Sequence, residues 1–252
     1  MGTALITGAS SGLGVELAWQ LATLGHNLVL VARDQGQLEA LAVKLRAAAG
    51  VQVEVLPADL AKRKDVALVA ARLSKAEQPV GLLINNAGFG TRGGFLEAGL
   101  KQREAELDVM VKAVMSLCFA AAQAMVARGR GAILNVSSIA AYTTGGTYSA
   151  AKAWVKTFSE SLAAELADSG VTVTALILGL TRTEFHARAG LDYRRYPKVV
   201  WLSPADAVAR ALIDVRRGAV LSTPSLRYGI VGQVARVMPR WLMRLITAPE
   251  NR

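Results

Sequence analysis

The sequence predicts an α/β fold, a doubly wound parallel sheet covered by helices on both faces. Short apolar runs alternate with helical stretches long enough to cross over between parallel neighbours. Several of those runs are continuous Val/Ile/Leu segments, as strands buried on both faces require. A glycine-rich turn joins the first strand to the first helix. With 252 residues, 52% of them hydrophobic, the chain can bury one large core.

The elements follow in order. "TALIT" is a strand, followed after the glycine turn by the helical "GVELAWQLATLG", whose Gly25 suits a helix end. "NLVLVAR" is the second strand, and "QGQLEALAVKLRAAAG" a helix that also ends on glycine. "VQVEVLPADL" is the third strand, with helix to about Lys75. "GLLINNAG" is the fourth, followed by a helical region from about Lys101 to Arg128. "GAILNVSSI", the helix "YSAAKAWVKTFSESLAAELADSG" and the strand "VTVTALIL" complete the regular pattern. Beyond Gly179 the periodicity weakens, which predicts a single domain spanning 1–252, with a substrate lid over 182–202 and a C-terminal extension over 203–252.

Composition narrows the function classes. The lone Cys118 excludes an intrachain disulfide and a Cys-rich zinc site, and fits a reducing, cytoplasmic setting. His26 and His186 leave little material for a metal site. The apolar run Ala113 to Ala127, 15 residues with Ser116 and Gln123 inside it, falls short of the roughly 20 needed to span a bilayer. Of the net charge of +10, residues 1–181 hold +2 (16 basic, 14 acidic) and residues 182–252 hold +8 (13 basic, 5 acidic). A basic face that attracts an anionic small molecule accounts for this. "LDYRRYPKVVWL" interleaves Tyr193, Tyr196 and Trp201 with Arg194, Arg195 and Lys198, but no nucleic-acid module accompanies it. A lid over an apolar substrate is the expectation there. "VARVMPRWLMRLI" is both basic and apolar; core or subunit packing is the expectation, with a membrane surface as the alternative.

"TGASSGLG" sets Gly8, Gly12 and Gly14 between strand and helix, with Ser10, Ser11 and Leu13 among them. Such a turn lets backbone approach a diphosphate and aims a helix N-terminus at it. The turn follows a strand and opens a helix, the context a dinucleotide site requires. At the end of the second strand, "VARD" offers Arg33, a planar cation suited to a ribose phosphate. Asp34 is the competing feature, because a carboxylate there suits a free ribose hydroxyl. NADP(H) is therefore expected, with NAD(H) as the alternative.

With the glycine turn, "NNAG" at 85–88, "NVSS" at 135–138 and "YSAAK" at 148–152 in this order, the chain resembles the short-chain dehydrogenase/reductase family over nearly its whole length. The resemblance implies a Rossmann-type sheet and an oxidoreductase that interconverts a carbonyl and an alcohol. It implies that Gly8, Ser10, Ser11, Gly12, Leu13 and Gly14 hold the cofactor diphosphate and that Asp59 and Leu60 lie by the adenine. Asn86, Ala87 and Gly88 would steady the central sheet, and Gly179, Thr181 and Thr183 would meet the nicotinamide end. A small, apolar carbonyl or alcohol substrate and a homodimer or homotetramer are further implications.

The residue types suit the chemistry. Tyr148 is the expected general acid/base, but a free phenol near about pH 10 is poorly matched to neutral conditions. Lys152, one helical turn on, shares its face, and an adjacent ammonium lowers a phenol by roughly 1–3 pH units. Ser138 would orient the substrate oxygen. Three positions depart from the family pattern. Met110 stands where the family carries a catalytic Asn, only nine residues separate Ser138 from Tyr148, and Leu178 replaces a proline before Gly179. These departures motivate an alternative: a catalytically impaired dinucleotide binder serving as a redox sensor or partner-binding subunit.

Overall fold

Seven strands align in parallel in the order β3-β2-β1-β4-β5-β6-β7. They are β1 (Thr3–Thr7), β2 (Asn27–Ala32), β3 (Val53–Pro57), β4 (Val80–Asn85), β5 (Gly131–Ser138), β6 (Val171–Leu178) and β7 (Leu221–Ser222). The computed structural model describes residues 2–91, 93–183 and 197–247. The expected lid, with Tyr193, Arg194, Arg195 and Tyr196, lies mostly outside them. The direction of the crossovers reverses between β1 and β4. This makes their carboxyl ends the switch point at which doubly wound sheets bind ligands.

Helices α1 (Gly12–Thr23), α2 (Gln35–Ala49) and α7 (Pro204–Arg216) cover one face. There Leu17, Leu38 and Val208 pack on Ile6, Leu30, Ile84 and Leu176. Helices α3 (Arg63–Leu73), α5 (Ala113–Ala127) and α6 (Gly146–Glu165) cover the other, where Val69, Leu117 and Val155 join Leu5, Val29, Leu83 and Ile133 in burial. Adjacent residues such as Leu5 and Ile6 feed opposite cores, as the two-residue period of a strand demands. Each such side chain contributes about 1.5–3 kcal/mol by leaving water.

The long helical region expected from Lys101 to Arg128 has three parts. Helix α4 (Leu100–Leu107) is followed by a π-helical turn at Asp108–Lys112 and then by α5. By length and composition alone, Leu100–Ala127 is apolar enough to cross a membrane. It is instead a core helix, with Val109, Met110, Val114, Leu117, Cys118 and Met125 buried against the sheet and α3. β7 was not evident from the sequence, and two further helices follow it, α8 (Leu226–Val237) and α9 (Arg240–Ile246).

A buried polar chain joins β4, β5 and α6. Asn85 Nδ2 donates to Asn135 Oδ1 at 2.8 Å, Asn135 Nδ2 to Ser159 Oγ at 3.0 Å, and Ser159 Oγ to the Val155 carbonyl at 2.7 Å. Cys118 lies beside the two asparagines, and burial pushes its thiol up to about 12.

Candidate active site

At the switch point, Thr7 ends β1 and ties two loops together. Its Oγ1 accepts from the amides of Asn86 and Ala87, both at 3.0 Å, and donates to the Ile84 carbonyl at 3.3 Å. Asn86 Nδ2 returns bonds to the carbonyls of Thr7 and Gly8, at 2.9 and 3.2 Å. Asn86 thus ties the end of β4 to the end of β1 and to the glycine turn. Thr7 was missed, although a threonine closing a strand before a glycine turn is a readable signal.

The glycine turn has little room for side chains. Gly8 adopts φ +66°, and a Cβ there would lie 2.9 Å from Ala87 Cα. A Cβ on Gly14 would lie 2.1 Å from the Gly8 carbonyl oxygen. Helix α1 therefore starts hard against the end of β1, and its N-cap Ser11 makes no side-chain capping bond. The Gly14 amide donates to the Ser11 carbonyl at 3.2 Å, and the positive end of the helix dipole at this turn suits an anion. Gly12 faces Thr183, bringing together two parts of the implied cofactor site.

Arg33 is exposed at the end of β2. Asp34, the competing feature, is the N-cap of α2, and its Oδ1 accepts from the Gln37 amide at 3.0 Å. One oxygen of its carboxylate is therefore engaged with its own helix. Asp59 lies in the turn after β3 rather than within the strand. Its Oδ1 accepts from Ala61 at 3.2 Å, and Leu60 is buried beside it.

Ser138 ends β5, and Tyr148 lies in the first turn of α6. The two side chains are neighbours, close enough for the Ser138 hydroxyl to favour the ionised phenol. The short connection therefore leaves Ser138 in place. It is taken up by a 3-10 turn at Ile139–Tyr142, capped by Ser138 Oγ accepting from Ala140 at 3.2 Å. Thr143 Oγ1 and Ser149 Oγ, 2.9 Å apart, close the loop. Ser137, on the opposite face of the strand, donates to the Lys152 carbonyl at 2.7 Å.

The expected lowering of the phenol does not occur. Burial pushes Tyr148 up to about 12, with the Ser138 hydrogen bond only partly offsetting it. Burial likewise lowers Lys152 to about 8. Lys152 Nζ lies 5.7 Å from the Tyr148 ring centroid and donates to the Val136 carbonyl at 2.7 Å. Desolvation is the leading cause of both shifts.

Met110 is buried in the π-helical turn. A Cβ on Gly88 would stand 3.4 Å from Met110 Sδ and 3.5 Å from Lys152 Nζ, so the thioether and the amine share one space. After β6, a Cβ on Gly179 would lie 2.3 Å from the Tyr228 ring. Tyr228 Oη accepts from the Leu180 amide at 3.0 Å and donates to the Val200 carbonyl at 2.7 Å. Tyr228 braces the turn in which Leu178 precedes Gly179. Thr181 Oγ1 donates to the Gly179 carbonyl at 3.1 Å. A cleft of about 390 Å³ lies behind this turn, lined by Tyr142, Asp214 and Tyr228 among others; Ser138 and Tyr148 do not line it. Among the described residues no cluster of three or more potential metal ligands occurs.

A second group escaped the sequence reading. Glu106 is fully buried, and its Oε2 accepts from Thr147 Oγ1 at 2.5 Å and from Arg103 at 3.4 Å. Arg103 also donates to the carbonyls of Gly93 and Gly94, at 3.0 and 2.8 Å. The residue preceding Tyr148 is thus tied to α4 and to the loop beyond "NNAG". In sequence, the pair looks like an ordinary solvated i, i+3 ion pair.

Residues 2–194 match the short chain dehydrogenase family. The chain belongs to it. As a short-chain dehydrogenase it is an oxidoreductase by family. It is 38% identical over 188 residues to a very-long-chain 3-oxoacyl-CoA reductase of Podospora anserina, covering 71% of this chain and 55% of that protein's length. A short-chain dehydrogenase from Sphingobium yanoikuyae in complex with NADPH superposes with TM-score 0.86 at 36% identity, covering 100% of this chain and 97% of that one. A bulky-bulky ketone specific alcohol dehydrogenase from Comamonas testosteroni superposes with TM-score 0.82 at 31% identity, covering 100% and 96%.

Proposed function

We propose that this short-chain dehydrogenase reduces an apolar carbonyl compound to its alcohol with NADPH. The buried Tyr148 beside Ser138, with Lys152 Nζ 5.7 Å from its ring centroid, carries this reading. When bound, the reduced nicotinamide supplies the hydride. Tyr148, held protonated at neutral pH, donates its proton to the substrate oxygen as negative charge develops there. Ser138 donates a hydrogen bond to the same oxygen. Lys152 binds the nicotinamide ribose and sets the polarity around the phenol.

The glycine turn and the start of α1 hold the diphosphate, and Arg33 takes the ribose phosphate while Asp34 caps its helix. The NADPH-bound relative supports this choice of cofactor. The ketone- and 3-oxoacyl-directed relatives support an apolar substrate. Exposed Leu107, Met115, Phe119 and Val126 on α4 and α5 support a homodimer or homotetramer.

Met110 beside Lys152 favours a second reading, a dinucleotide binder that turns over poorly. A thioether is a weak acceptor and no donor, so it relays protons badly. NADPH consumption with aldehydes, ketones, quinones and 3-oxoacyl thioesters decides between the two. Turnover abolished by Tyr148→Phe supports the enzyme. Tight NADPH binding without Tyr148-dependent turnover supports the binder, and a rate gain in Met110→Asn would identify the thioether as the cause.

A further inference from the structure

The C-terminal helices were expected to pack into the core or against a subunit. Within one chain most of their apolar side chains lie outside the core. On α8, Leu226 is 90% exposed, Ile230 66%, Val234 50% and Val237 80%. Their spacing of i, i+4, i+8 and i+11 places them on one stripe, with Arg227 on one flank and Arg236 on the other. On α9, Trp241 is 59% and Leu245 68% exposed, beside exposed Arg240 and Arg244. What packs inward is limited: Gly232 against Tyr142 and Ile139, Tyr228 against Gly179, and Met243.

Charge identifies the occupant. Between Asp214 and Glu250 the sequence has six arginines and no carboxylate side chain. Pairing two copies through this face would set the same arginines against one another with no counter-charge. The exposed face of α4 and α5 differs, since its apolar side chains accompany the Asp108–Lys112 ion pair at 2.7 Å. An apolar stripe flanked by arginines, with a tryptophan at its end, instead matches a surface that is anionic outside and hydrocarbon beneath.

We propose that α8 and α9 dock this protein on anionic lipid bilayers. Helix α8 backs the Ile139–Tyr142 turn ahead of Tyr148 through Gly232, so the docking face and the substrate side of the site share a rim. The proposal goes beyond the catalytic reading and does not depend on it, because docking is measured without turnover.

The test is flotation of the full-length protein with phosphatidylcholine vesicles, with and without a minority of phosphatidylglycerol, at low and high salt. The expected result is partition onto the anionic vesicles only, reversed by salt. Arg240→Gln with Arg244→Gln should lower the partition coefficient by about tenfold or more, and Val237→Ser with Trp241→Ser should abolish it. In both variants the melting midpoint and Tyr148-dependent turnover of a water-soluble ketone should be unchanged. Three outcomes overturn the proposal: no partition, equal partition onto neutral and anionic vesicles, or variants that bind like the parent. Variants that lose self-association while keeping vesicle binding would assign the face to a subunit interface instead. Retention on polyglutamate but not on vesicles would assign it to an acidic protein.

Discussion

Lys152 is held at both ends by consecutive residues of β5. Its Nζ donates to the Val136 carbonyl at 2.7 Å, and its own carbonyl accepts from Ser137 Oγ at 2.7 Å. The strand thereby fixes the rotation of α6 about its axis, and with it the direction of Tyr148. Ser137→Ala removes one of these bonds and leaves a buried carbonyl with only its helical partner. The expected cost is about 1–2 kcal/mol of stability, measured by urea unfolding. Turnover should fall while the Michaelis constant for NADPH stays near its parent value.

The pH dependence of stability follows from the two buried groups. Lys152 has its proton affinity lowered from 10.5 to about 8, so between those values the unfolded chain binds a proton that the folded protein does not. Stability therefore rises as the pH climbs from 8 to 10.5, by on the order of 3 kcal/mol. Tyr148 is raised from 10.0 to about 12, so its contribution is intact below pH 10 and is lost as the pH rises to 12. Unfolding midpoints from pH 7 to pH 11 should rise and then level or fall. Lys152→Met should remove the rise.

Arg33 and Asp34 are neighbours with separable roles. Asp34→Ala removes the bond to the Gln37 amide and should cost about 1 kcal/mol in a melting experiment, without changing the preference between NADPH and NADH. Arg33→Ala should leave stability alone and weaken NADPH binding about tenfold or more, a single charge-assisted phosphate contact being worth roughly 1.5–3 kcal/mol. Fluorescence titration with both dinucleotides separates the two.

Glu106 and Arg103 are both buried, and each has one further buried atom without a partner, Glu106 Oε1 and Arg103 Nε. Arg103→Met strands a buried carboxylate and should cost about 3–5 kcal/mol. Glu106→Gln keeps an acceptor for Thr147 and should cost less. Thermal unfolding of the two variants in parallel gives the ranking.

The fold was legible because its signals are local and repeated. Apolar runs such as "LLIN" and "NLVLVA" fall in the strands, and Gly25 and Gly50 close their helices. Motif order singled out Ser138, Tyr148 and Lys152, which lie close together in the fold. What the sequence did not reveal depends on burial and on distant partners. Nothing in "AYTTGGTY" shows that Thr143 closes on Ser149, and nothing near Leu178 shows that Tyr228 lies against Gly179. The phenol was misjudged for the same reason. Spacing revealed the neighbouring amine but not the desolvation that opposes it.

The amide chain from Asn85 through Asn135 to Ser159 makes one alignment of the central strands cheaper than its neighbours. Were β5 to slide by a single residue, Leu134 or Val136 would replace Asn135, leaving Asn85 and Ser159 facing hydrocarbon. The same slide would carry Ser138 away from Tyr148. Mispaired versions of this sheet are thus penalised by its interior before any substrate arrives.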